Sequence, residues 1–132
     1  MKTEQYSEYL AISNETRTKI PNIPWVNIKD TILGKKYELS LVFPNKKNAT
    51  ELHLDWKEKD GPVNILSFPL EKNVGEIFIS LDQAKTECKN FDRDYENYVA
   101  FLFIHGCAHL KGYTHGNSME AYEKKIRTKF KI

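Results

Sequence analysis

Cysteine is scarce: Cys88 and Cys107 are the only two in 132 residues, nineteen positions apart and in no CxxC pair. A chain this long buries roughly two thirds of its unfolded surface, so it needs no disulfide framework, and both thiols are expected as small buried side chains. Long apolar runs are missing as well. The longest, Tyr98–Ile104, falls far short of the roughly 18 residues that a membrane span requires. The opening stretch, MKTEQYSEYL, holds no apolar segment of signal-peptide length. The expectation is a cytoplasmic protein with reduced thiols and no membrane attachment. An excess of one charge is lacking too. Twenty basic against 18 acidic side chains leave a net charge of +2, too slight to announce a nucleic-acid partner.

Repeats, low-complexity tracts and composition breaks are also absent, and the length fits one domain spanning residues 1–132. The hydrophobic share of 40% and charged share of 29% are those of a globular chain. PNIP at 21–24 and PNKKN at 44–48 read as loops. Trp25–Leu33 predicts a short helix stopped by Gly34. Glu38–Phe43 alternates, placing Leu39, Leu41 and Phe43 on one face of a strand. Thr50 is expected to cap a helix running through Leu52, Leu54 and Trp56. Asn64–Leu70 and Val74–Leu81 predict a hairpin, with Pro69 at an edge or strand end. Helices are expected over Asp82–Lys89, Asp94–Lys111 and Met119–Phe130. The second is apolar nearly all round, as a central buried helix is, and Gly112 supplies its left-handed stop. The predicted fold is α+β, a small mixed sheet packed with several helices.

Three of the four histidines stand in His105-Gly-Cys-Ala-His109-Leu-Lys-Gly112-Tyr-Thr-His115. Positions four apart share a helix face, so His105 and His109 aim at one point. The turn at Gly112 allows His115 to come back toward it. Three imidazoles leave a fourth tetrahedral position open, which marks a catalytic rather than a structural zinc site. The spacing matches the metzincin pattern H-E-x-x-H-x-x-G-x-x-H except that Gly106 replaces the glutamate. That glutamate is the general base of those proteases, so peptide hydrolysis by their mechanism is not supported. Only 17 residues follow His115, little room for the rest of a protease site.

The segment HGCAHLKGYTH resembles the signature of the YbeY family, H-G-x-x-H-L-x-G-Y-D-H. A second block, Lys59-Asp60-Gly61-Pro62-Val63-Asn64-Ile65-Leu66-Ser67-Phe68-Pro69, is similar to the family's K-D-x-P-T-[DN]-V-L-S-F-P. Gly75-Glu76-Ile77 resembles its G-[DE]-I strand. Together these blocks run over about Leu52–His115, roughly half of the chain. The resemblance implies a bacterial zinc-dependent, single-strand-preferring endoribonuclease. It implies work in 16S rRNA 3′-end maturation and ribosome quality control, with RNA and the small ribosomal subunit as partners and no DNA substrate. It further implies one zinc ion on His105, His109 and His115, and an α+β fold.

Three positions depart from the family pattern. Lys57 stands where an arginine is usual, keeping the charge without the planar fork that grips a phosphate bidentately. Thr114 replaces the signature aspartate, removing a carboxylate that might orient a ligand. Val63 replaces a threonine. Lys57 is the candidate catalytic cation, placed to neutralise charge developing on the phosphate. His53, near it in sequence but outside both blocks, is expected as a surface histidine. For RNA binding the candidates are Lys124, Lys125, Arg127, Lys129 and Lys131, five bases beside the two acids Glu120 and Glu123 in the last 14 residues. Two rivals remain: a non-enzymatic ribosome-assembly factor with a structural zinc, and a zinc hydrolase of another substrate.

Overall fold

Leu10, Ile12, Leu39, Leu41, Phe43, Ile77 and Ile79 are all fully buried, and all come from one face of a five-stranded sheet. In this computed structural model residues 2–52 and 65–132 are described. The strands are β1 (Lys2–Ser7), β2 (Leu10–Asn14), β3 (Glu38–Phe43), β4 (Ile65–Glu71) and β5 (Val74–Ile79), in the spatial order β1-β2-β3-β5-β4. The centre is parallel: Ile12 pairs with Leu41, and Leu41 with Ile77. Both outer pairs are antiparallel, so the sheet is mixed, and helices pack on it as expected of an α+β fold. The expected hairpin is β4–β5, and Pro69 lies on the edge strand opposite Gly75, where its missing N–H does no harm.

The strand pair β1–β2 has no counterpart in the sequence expectations. Lys2–Gln5 are all exposed and polar, so the first strand offers no apolar alternation to read. Leu10 and Ile12 do alternate, but over only five residues. Between β2 and β3 runs α1 (Trp25–Leu33), which buries Trp25, Ile28 and Ile32 and ends at Gly34 with φ 96°. This is the predicted helix with its predicted stop. Lys29, on the same helix, is fully buried; its ammonium donates to the Lys35 carbonyl at 2.9 Å and meets Asp30 at 3.2 Å.

The expected cap at Thr50 is wrong. Helix α2 (Lys46–Glu51) starts earlier, because the Asn45 side chain accepts from the Asn48 N–H at 2.8 Å. Thr50 sits inside that helix and donates back to the Lys46 carbonyl at 2.9 Å. Part of the expected 44–48 loop is therefore helical. Leu54 and Trp56 lie outside the described residues.

After β5, Ser80 caps α3 (Leu81–Glu87), which tightens into a 3-10 turn at Cys88–Phe91. Asp94 then caps α4 (Tyr95–Lys111), accepting from the Asn97 N–H at 2.8 Å. Tyr98, Val99, Ala100, Leu102, Phe103, Ile104, Cys107 and Ala108 are buried along it, so this is the expected central helix. It packs on α1, where the Trp25 and Phe103 rings meet edge-on at 5.0 Å. The last helix, α5 (Asn117–Phe130), begins two residues before its expected start and lies against α4. Both cysteines are free and buried, as expected, and burial pushes the Cys107 thiol up, so it stays protonated.

Candidate metal centre

His105 and His109 sit one turn apart near the end of α4, and their ring centres are 4.7 Å apart. The chain then reverses. Gly112 takes φ 117°, its N–H donates to the His109 carbonyl at 3.0 Å, and the Tyr113 N–H donates to Ala108 at 3.1 Å. These paired bonds close the helix with a left-handed residue, a conformation that costs glycine little. The reversed segment brings the His115 ring within 4.9 Å of His109 and 5.5 Å of His105. One nitrogen from each histidine lies within 4.8 Å of the other two. The three residues that the spacing selected do converge.

Their surroundings suit a cation. Glu123 reaches over from α5 and places Oε1 3.0 Å from His105 Nδ1. That contact leaves Nε2 as the nitrogen free to face an ion. The Glu123 carboxylate is itself buried, its side chain 5% exposed. Burial pushes the His109 imidazole below its ordinary pKa, and the neighbouring His105 and His115 rings push the same way. Neutral imidazole is the form that binds a metal. Three converging imidazoles, one of them anchored by a buried carboxylate, therefore fit a zinc-type ion in donor chemistry.

The histidines form one wall of an open groove of about 430 Å³. Ile65, Ser67 and Pro69 of β4 form the other wall, and Leu110, Tyr113 and Thr114 complete it. Among the described residues lining it there is no carboxylate. Gly106 explains part of this. A Cβ there would come within 2.8 Å of Ile65 Cδ1, 3.0 Å of Ser67 Oγ and 3.1 Å of Ile77 Cδ1. Helix α4 lies so close to the sheet that the protease-type glutamate has no space. Ser67, whose role the sequence left open, donates to the Gly106 carbonyl at 3.3 Å and so ties the edge strand to this helix.

One contact of the site has no counterpart in the sequence reading. In sequence Glu123 is one of two acids in the basic C-terminal stretch. Its signal was the spacing Met119, Glu123, Ile126, which places it on the buried face of α5. Thr114 supplies no carboxylate here; the one beside His105 comes from α5.

The other candidates are placed as follows. Lys57, His53 and the block Lys59–Asn64, with Val63 in it, lie outside the described residues. Lys124, Lys125, Lys129 and Lys131 are exposed on or just after α5. Lys124 and Lys125 point away from the Met119–Ile126 face, so the groove does not gather them. Arg127 is largely covered, lying 5.2 Å from the centre of the Phe101 ring with Glu120 at 3.7 Å.

Comparison with known proteins adds an independent line. The profile of the family described as "Endoribonuclease YbeY" matches residues 3–131. Proteins named Endoribonuclease YbeY resemble the chain at 37% identity over 95 residues in Agrobacterium fabrum, covering 65% of this chain and 56% of that protein. The Staphylococcus carnosus protein of that name is 31% identical over 127 residues, covering 87% and 82%. In Campylobacter jejuni the figure is 34% over 110 residues, covering 77% and 81%. A solution structure of a Thermotoga maritima protein superposes with a TM-score of 0.58 over 92% of this chain and 91% of that one; at 23% identity it speaks for the fold.

Proposed function

The chain belongs to the endoribonuclease YbeY family, and from that premise we propose that it is a zinc-dependent endoribonuclease preferring single-stranded RNA. The observation that carries the reading is the convergence of His105, His109 and His115 at the wall of an open groove. An open groove suits a polymer strand better than an enclosed pocket suits it. The proposal takes residues 1–132 as one functional domain acting in the cytoplasm on ribosomal RNA. Its specific task there is 3′-end maturation of 16S rRNA and ribosome quality control, in contact with the small subunit. No helix among the described residues is long and apolar enough to cross a membrane.

When bound, the ion supplies Lewis acidity toward the scissile phosphate and water. This chain's own residues do the rest. Glu123 fixes the ring and tautomer of His105 through Nδ1. The Ser67–Gly106 bond holds the β4 wall at a set distance from the histidines. Leu110 and Ile65 give the groove its apolar part, against which the strand packs and from which it displaces water. Lys57 is proposed to neutralise charge on the phosphate as the bond breaks. Lys124, Lys125, Lys129 and Lys131 are proposed to attract the RNA backbone at longer range, a contribution that weakens with salt.

The test is cleavage of a labelled, structured rRNA fragment by the wild-type protein beside His109→Ala, with and without zinc. Zinc-dependent cutting that disappears in the variant is the expected result. Equal cutting by both assigns the activity to a contaminant and favours a ribosome-assembly factor with a structural metal.

A further inference from the structure

Strand β4 contributes Ile65, Leu66, Ser67 and Pro69 to the wall that faces the histidines, and Ser67 is the single polar side chain among the four. Alternation along the strand explains its placement. Ile65 and Ser67 lie on the face turned to α4, whereas Phe68 is turned the other way and meets Phe78. Ser67 reaches α4 at Gly106, the residue next to His105 and three before His109. With a steady rise along the helix, that contact stands between the levels of the two histidines. A Cβ on Gly106 would lie 3.0 Å from Ser67 Oγ, so the hydroxyl sits directly against the helix backbone.

This contact fixes what the hydroxyl can still do. A carbonyl oxygen only accepts, so in the 3.3 Å bond to Gly106 the Ser67 hydroxyl is the donor. Its one proton is committed there. The lone pairs of Oγ remain, and no N–H or O–H group among the described residues donates to them. Ser67 therefore presents the groove with an acceptor and no donor. Phosphate oxygens, which are acceptors themselves, find no partner in it. A ribose 2′-hydroxyl does, because it carries a proton to give, and the deoxyribose of DNA has none. No carboxylate lines the groove among the described residues, so no anionic acceptor competes for that proton.

We propose that Ser67 accepts the 2′-hydroxyl proton of a ribose lying in the histidine groove, and that this contact makes the site prefer RNA strands to DNA strands. The proposal rests on the reading of the groove as the place where a nucleic-acid strand is cut. A ribose is the neighbour of every phosphate along the strand, so a phosphate held at the histidines brings one to the opposite wall. The contact is independent of base identity, as a nuclease directed by a larger partner requires. A strand without the hydroxyl leaves the Ser67 acceptor unpaired against an apolar wall of Ile65 and Pro69, which is how a polar group rejects an analogue that lacks its partner.

The experiment uses the zinc-loaded protein and three fluorescent single strands of one sequence, with a 2′-hydroxyl, a 2′-fluoro or a 2′-deoxy sugar throughout. Stopped-flow anisotropy reads the affinity before cutting accumulates. The fluoro strand keeps an electronegative group at the position but has no proton to donate. Wild type is expected to bind the hydroxyl strand about fivefold more tightly than either of the others, the effect of one neutral hydrogen bond in an open groove. In Ser67→Ala the hydroxyl and fluoro strands are expected to bind alike, whatever the absolute affinity. Loss of the Ser67–Gly106 tie alone would instead weaken all three strands in proportion. If Ser67→Ala fails to fold cooperatively, Ser67→Cys carries the test, because sulfur is a weak acceptor and the preference shrinks toward none. Three results overturn the contact while leaving the nuclease reading intact: a hydroxyl preference that survives in Ser67→Ala, a wild type that binds hydroxyl and fluoro strands alike, or a wild type that discriminates bases and not sugars. A wild-type protein that neither binds nor cuts RNA overturns both.

Discussion

Glu123 Oε1 lies 3.0 Å from His105 Nδ1, joining helix α5 to one of the three converging histidines. The carboxylate is buried, so its hydrogen bond is little diluted by water. Loss of such a partner typically costs 10–100-fold (about 1.4–2.7 kcal/mol) in metal affinity. Glu123→Ala is therefore expected to bind zinc at least about tenfold more weakly in a competition titration with a chromogenic chelator. Glu123→Gln, which retains an acceptor oxygen, should lose less. Wild-type affinity in both variants would show that His105 is held by its packing alone.

The convergence of the three histidines was legible because helical spacing is a local property. His105, His109 and the stop at Gly112 lie within eight residues, and their geometry follows from 3.6 residues per turn. Trp25–Leu33, Glu38–Phe43 and the β4–β5 hairpin were legible for the same reason, each having its period written in its own side chains. What the sequence hid was contact between distant segments. Glu123 is 18 residues from His105, and only the α4–α5 packing shows that they meet. Strand β1 is polar and exposed at its start, so its place in the sheet comes from backbone pairing with β2 and from no apolar pattern. At α2 the error was a choice between two capping residues. Asn45 following Pro44 outcompeted Thr50, which was already inside the helix.

Gly106 separates this site from the protease pattern that shares its spacing. Restoring the pattern by Gly106→Glu forces a side chain against Ile65, Ser67 and Ile77, all within about 3.1 Å of where its Cβ would stand. The expected result is a loss of stability of at least about 3 kcal/mol, combining overpacking with burial of an unpaired carboxylate. Urea denaturation in a Trp56→Phe background, where the fluorescence is that of Trp25 buried against Phe103 and Phe43, reads this. No peptidase activity should appear. A Gly106→Glu protein of wild-type stability would mean that α4 can move off the sheet.

Metal removal should loosen the α4–α5 corner without unfolding the core. His115 stands on the segment between α4 and α5, whereas Trp25 packs against Phe43 and Phe103 in the core. At free zinc about 1,000 times its Kd, the ion adds about 4 kcal/mol to stability, which a chelator withdraws. Wild type is expected to melt cooperatively in both conditions, at a lower Tm with chelator. His115→Ala should show a much smaller difference between the two. Complete loss of cooperative unfolding on chelation would instead mark the metal as the organiser of the fold.

Tyr95 offers a test of the packing that is independent of the metal. Its hydroxyl is buried with no hydrogen-bond partner among the described residues. Burial first, then the carboxylates of Asp82 and Glu96, push its pKa up to about 12. The unfolded chain releases tyrosine protons near pH 10, as free tyrosine does. Because the folded value is the higher one, the protonated hydroxyl favours the folded state fully below about pH 10, and that contribution is lost as pH rises toward 12. Tyr95→Phe removes both the unsatisfied group and the titration. At pH 8 it is expected to match the wild type or exceed it by up to about 1 kcal/mol. Between pH 10 and 12 the wild type should lose stability faster than the variant, so the gap in Tm widens. Thermal melts at pH 8, 10 and 11 measure this, and parallel decline of the two proteins would show that Tyr95 ionises as freely folded as unfolded.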